Sequence, residues 1–106
     1  MAWTMQAFNF THYDLREQRA GTIVEVTLSA VANVRLMTDQ NLKLYKQVLK
    51  HQFVGGVAKK SPLRLVVPAS GHWHLIVDMQ GLHGLAQSSI RVLDPQTSQA
   101  VNIART

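Results

Sequence analysis

The stretch Ser61–Asp78, SPLRLVVPASGHWHLIVD, carries two apolar arms, Leu63–Val67 and Trp73–Val77, separated by Pro68-Ala69-Ser70-Gly71. Short alternating runs around a Pro- and Gly-bearing break predict a β-hairpin. Side chains two apart on a strand share a face. Trp73, Leu75 and Val77 therefore point one way, and His72, His74 and Asp78 the other. The apolar set is the expected core side, with the Trp73 indole N–H needing an acceptor. His72 and His74 are then expected to look toward water, their imidazoles about 7 Å apart.

Upstream, Gly21–Ser29 (GTIVEVTLS) reads as a strand with Val24, Val26 and Leu28 on one face. Val31–Thr38 alternates again after only Ala30, so the two runs form either one long bent strand or a tight hairpin. Phe8–Tyr13 reads as a short first strand with Phe8, Phe10 and His12 on one face, and Asp14–Ala20 as a loop or a helical turn. From Asp39 to Lys50 the period changes. Leu42, Leu44, Tyr45, Val48 and Leu49 fall on one side of a helical wheel and Lys43, Lys46 and Lys50 on another, with Thr38 or Asp39 as N-cap. Gly55-Gly56 supplies the backbone freedom of a tight turn or a bulge. Leu85–Leu93 reads as a last strand. Residues from Asp94 onward read as a polar tail in which Val101 and Ile103 could add a short edge strand.

The expected fold class is all-β: a mostly antiparallel β-sandwich or partly open barrel of six to eight strands, with one amphipathic α-helix around residues 39–50. Residues 1–93 form a single β-rich domain and residues 94–106 a polar C-terminal tail. The expected core is Phe10, Val24, Val26, Leu28, Val34, Leu36, Leu42, Tyr45, Leu49, Leu65, Val67, Trp73, Leu75, Val77, Ile90 and Val92.

A chain of 106 residues is one domain with one modest core. The absence of cysteine excludes disulfides, thiolate nucleophiles and Cys-ligated zinc. MAWTMQAFNF lacks the basic start and apolar run of a signal peptide, and no apolar stretch nears the roughly 20 residues of a bilayer span, so a cytoplasmic location is expected. Eleven Lys+Arg against six Asp+Glu give +5, and no acidic residue lies between Asp39 and Asp78. That interval holds Lys43, Lys46, Lys50, Lys59, Lys60 and Arg64, with His51, His72 and His74. A one-sided field of this kind attracts an anionic ligand or partner: a nucleotide, nucleic acid or an acidic protein surface.

FNFTHYDL, VEVTLS, ANVRLM, a short helical segment with Tyr45-Lys46, Gly55-Gly56, SPLRLVVP, SGHWHLIVD and SSIRVL follow one another in an order that resembles the bacterial family called "domain of unknown function 1883". The resemblance runs from about Phe8 to Leu93. It implies a small, mostly β cytosolic domain, in some members similar to accessory modules beside Toll/interleukin-receptor-like signalling domains. The family implies no catalytic residues. With so short a tail after Leu93, a stand-alone copy is expected.

Two imidazoles on one strand face can grip a transition metal when a third ligand arrives, with His12, His51 or His83 as candidates and Asp78 too far along the strand. On sequence alone no metal ligand set and no cofactor are assigned. No G-x-S-x-G elbow is present, and Asp14, Glu17, Glu25 and Asp78 show no spacing that implies convergence, so no catalytic residue is assigned and the reading leans away from an enzyme. The function that follows is a non-enzymatic binding or sensing module whose basic, His-bearing face comprises His72, His74, Lys43, Lys46, Lys50, Lys59, Lys60 and Arg64. The alternatives are a His-dependent metal-binding protein or hydrolase, and a domain that self-associates through exposed sheet edges.

Overall fold

Period-two alternation carries most of the chain into strands. The computed structural model describes residues 9–93 and 100–103. In chain order it contains β1 (Phe10–Gln18), β2 (Ile23–Leu28), β3 (Ala32–Thr38), α1 (Asp39–Lys46), β4 (Val54–Ala58), β5 (Leu63–Val66), β6 (Gly71–Asp78), β7 (Ser88–Leu93) and β8 (Ala100–Ile103). Two four-stranded antiparallel sheets form, in the orders β1-β6-β3-β4 and β5-β2-β7-β8. The architecture is a β-sandwich with one short helix. Val24, Val26, Ile90 and Val92 from one sheet meet Val34, Leu36, Trp73, Leu75 and Val77 from the other in one buried cluster.

Most connections cross from one sheet to the other, and this overturns several expectations. Ser61–Asp78 is not a hairpin: β5 pairs with β2, whereas β6 lies between β1 and β3. The Pro68–Ser70 link carries the chain between sheets, pinned where Ser70 Oγ accepts from the Ala20 N–H at 3.0 Å. Likewise β2 and β3 are neither one strand nor a hairpin, because Ser29–Val31 also crosses over. The 14–20 segment is mainly strand, since β1 continues to Gln18 through a bulge between Asp14 and Arg16, with Leu15 buried in the core. The last long strand starts at Ser88, with Leu85 solvent-exposed. Ala100–Ile103 pairs with β7 as an edge strand. Phe8 and residues 94–99 and 104–106 lie outside the described residues.

Gly55-Gly56 is a further correction. The pair sits inside β4 rather than in a turn, with Gly55 opposite Arg35 at φ +126°. A Cβ there would lie 2.2 Å from the Val34 carbonyl oxygen. Gly55→Ala is therefore expected to cost about 2–3 kcal/mol in urea unfolding, from strain at a restricted backbone position. Gly56→Ala, which would meet nothing within 4 Å, is expected to lose less.

The outer face of the β1-β6-β3-β4 sheet is covered by α1. Thr38 caps the helix, and Leu42 and Tyr45 pack on Met37 and Ile76, with Phe10 against them. The helix ends at Lys46 rather than Lys50, and Leu49, expected in the core, is 51% exposed. Both faces of β6 are thus buried along most of its length. This covering helix decides the environment of the histidines.

Candidate metal centre

Two short patterns on neighbouring strands build the site. On β1, His12 and Asp14 lie two apart; on β6, so do His72 and His74. Antiparallel pairing sets Asp14 opposite His74 and His12 opposite Ile76, so all four side chains reach the helix-covered face. The bulge follows directly after Asp14, and bulges bend a strand and re-aim its side chains. Here the Arg16 N–H donates to Asp14 Oδ1 at 2.9 Å and fixes the carboxylate. Asp39, the first residue of α1, comes down over the same spot, an acid in the first turn that the helix dipole favours.

The five side chains form one connected array. His72 Nε2 donates to Asp14 Oδ1 at 2.6 Å, and its Nδ1 lies 3.9 Å from Asp39 Oδ2. His74 Nε2 donates to Asp39 Oδ1. His74 Nδ1 and His12 Nε2 share a proton across 2.9 Å. The His72 and His74 rings stack with centroids 4.7 Å apart. One donor atom from each of Asp14, His72 and His74 lies within 4.8 Å of the others.

The outward orientation expected for both imidazoles holds for only part of the pair. The parity of β6 is as expected, with Trp73 inward and its indole N–H bonded to the Ala69 carbonyl at 2.8 Å. The opposite face, however, meets α1 rather than water. The His74 side chain is only 7% exposed, while His72 is 31% and Asp39 58% exposed, so the array opens to solvent along its His72–Asp39 side.

Charge is distributed unevenly among the five groups. The hydrogen bond from His74, against an opposing effect of burial, holds the Asp39 carboxyl below its ordinary range. For Asp14, burial pushes upward, but the Arg16 N–H and the two imidazoles outweigh it and the net shift is downward. The hydrogen bond to Asp14 raises His72 above the usual imidazole value. Burial, with the neighbouring His74 and Lys46 charges, lowers His12. The array thus pairs two ionised carboxylates with imidazoles of contrasting basicity.

The sequence-derived binding residues do not all come together. Lys43 and Lys46 lie on α1. Lys50 lies beyond the helix end, at a cavity with Tyr45 and His51. Lys59 and Lys60 sit beside Ser29-Ala30-Val31, at the opposite end of β3 from α1. Arg64 belongs to the other sheet and pairs with Glu25 at 3.0 Å, which Arg91 also engages. His51 packs edge-to-face on Tyr45 and tilted against Phe53, and His83 is exposed, so neither joins the array. Asp78 lies apart, as its strand position implied, bound by Asn33, Arg35 and Tyr45. Two members of the array, Asp14 and Asp39, were not singled out as site residues from sequence. The visible signal was an H-x-D on one strand matching the H-x-H on another; Asp39 gave no signal beyond its capping position.

The family model described as "Domain of unknown function (DUF1883)" matches residues 8–96. The chain belongs to this family. All five members of the array lie within the matched segment of the DUF1883 domain. Neither a curated protein nor a solved structure gives a significant match. Among the described residues no helix is long and apolar enough to cross a membrane.

Proposed function

We propose that this DUF1883 domain is a non-enzymatic binding module whose ligand is a divalent transition-metal cation of the zinc class, held by Asp14, His72 and His74. The observation that carries the reading is the approach of one donor from each of these residues to within 4.8 Å of the others. Zinc bound to nitrogen and oxygen at about 2.0–2.1 Å in a tetrahedron needs donors about 3.3 Å apart, which small side-chain movements in this array supply. Imidazole with carboxylate suits zinc and its neighbours, whereas magnesium and calcium prefer all-oxygen shells. His74 is held at Nδ1 by His12 and at Nε2 by Asp39; a bound metal takes the place of one of these partners, and the other then orients the imidazole. The exposed Asp39 side leaves a path for entry.

A single basic face for an anionic ligand is the weaker reading. Lys59, Lys60 and Arg64 stand away from the histidines, and Arg64 is already paired.

Calorimetric titration of chelator-treated protein with zinc is expected to give one site per chain. His72→Ala and Asp14→Ala, folded by circular dichroism, are expected to weaken zinc at least about tenfold, the loss of one ligand. Affinity is also expected to fall as the pH drops through the raised His72 value, because protons compete with the metal for that imidazole. Unchanged zinc affinity in both variants would remove the proposal.

A further inference from the structure

A cavity lies at the C-terminal end of α1, independent of the histidine–aspartate array. It has a volume of about 370 Å³ and is lined by Tyr45, Val48, Leu49, Lys50, His51 and Gln80. That volume falls within the usual range of small-molecule sites, about 300–1,000 Å³.

The helix terminus that builds its wall is unusual. The Val48 N–H bonds to the Tyr45 carbonyl at 3.0 Å and the Leu49 N–H to the Leu44 carbonyl at 2.9 Å. This is the Schellman pattern, whose turning residue adopts a left-handed conformation and is usually glycine or asparagine. Here it is Val48, at φ +59°. A β-branched residue in that region is strained, and such strain persists where surrounding structure or function demands it. The following apolar residue of this motif normally packs back on the helix, yet Leu49 is 51% exposed and Val48 55%. The motif therefore presents two aliphatic side chains at the cavity.

The polar groups are equally specific. The Tyr45 hydroxyl is committed to Asp78 at 2.5 Å and its ring packs on Phe10 and His51, so Tyr45 forms the buried floor beneath the cavity. The Leu49 carbonyl accepts from His51 Nδ1 at 2.9 Å, which fixes the proton on Nδ1 and leaves Nε2 as an acceptor. That Nε2 is shielded from solvent and has no hydrogen-bond partner. A buried polar atom without a partner calls for one. Lys50 adds an ammonium group at the cavity and Gln80 an amide.

We propose that this cavity binds a small amphipathic organic acid. Its apolar body sits against Val48 and Leu49 over the buried Tyr45, its carboxylate meets Lys50, and a turn of the side chains that cover His51 Nε2 lets a hydroxyl or N–H of the ligand donate to that atom. The proposal does not depend on metal binding at the opposite end of the helix.

The test is an amide-resonance NMR titration with 4-hydroxybenzoate as probe, compared with benzoate, which lacks the hydroxyl, and 4-hydroxybenzyl alcohol, which lacks the acid. Saturable shifts confined to residues 45–51 and 80 are expected, with each control bound about tenfold more weakly, the scale of one lost charged or polar contact. Lys50→Gln, an exposed change, is expected to weaken 4-hydroxybenzoate and leave the alcohol unaffected. No saturable shift, shifts mapping elsewhere, or equal affinity for all three probes would overturn the assignment.

Discussion

Asp78→Ala is expected to remove about 3–5 kcal/mol of folding stability, the cost of breaking a buried ion pair from one side. The Asp78 side chain is fully buried and accepts four hydrogen bonds. Oδ1 takes the Asn33 amide at 2.7 Å and the Gln80 N–H at 3.0 Å; Oδ2 takes Arg35 Nε at 3.1 Å and the Tyr45 hydroxyl at 2.5 Å. Removing the carboxylate strands a guanidinium only 15% exposed, together with a phenol and an amide. Burial, reinforced by Asp78, pushes the Tyr45 hydroxyl pKa upward, so the phenol remains a donor and cannot ionise to compensate. The network also joins α1, through Tyr45, to β3 and β6, so the helix should loosen with it. Equilibrium urea unfolding measures the change. A loss below about 1 kcal/mol, the value of one ordinary hydrogen bond, would contradict this account of the buried network.

Trp73→Ala is expected to cost a similar about 3–5 kcal/mol, by loss of burial plus the cavity left behind. Trp73 is 7% exposed in the core cluster and its N–H is satisfied by Ala69. It stands on β6 between His72 and His74, so its loss should also blur the geometry of both imidazoles. A small effect, below about 1 kcal/mol, would contradict the burial of the Trp73 side chain between the two sheets.

The parity of β6 was legible in sequence because alternation is local: Trp73, Leu75 and Val77 against His72, His74 and Asp78 follow from period two alone. What covers the second face was not, because that depends on a helix 35 residues upstream in the chain that seats Asp39 on His74. Ile76 was the available hint. An isoleucine on the supposed wet face, with Met37 on a neighbouring strand, needs an apolar cover, which Leu42 and Tyr45 provide. The hairpin reading failed for a related reason. Pro68–Gly71 marks where the chain bends but not which sheet receives it, and the pairing of β5 with β2 is long-range. Gly55-Gly56 read as a turn because glycine signals backbone freedom, whereas here Gly55 serves a close approach to Val34 within a strand. Asp14 was passed over among scattered acids because its convergence with His72 requires the β1–β6 register, which sequence spacing does not reveal.

The central claim is that these convergent imidazoles and carboxylates form a cation site rather than only a hydrogen-bonded brace under the helix. Zinc-edge X-ray absorption of the metal-loaded protein tests it most directly. The account predicts a nitrogen/oxygen shell at about 2.0–2.1 Å with the outer scattering of two imidazoles, reduced to one in His72→Ala. Zinc that washes off on gel filtration, or a shell without imidazole scattering, would contradict it.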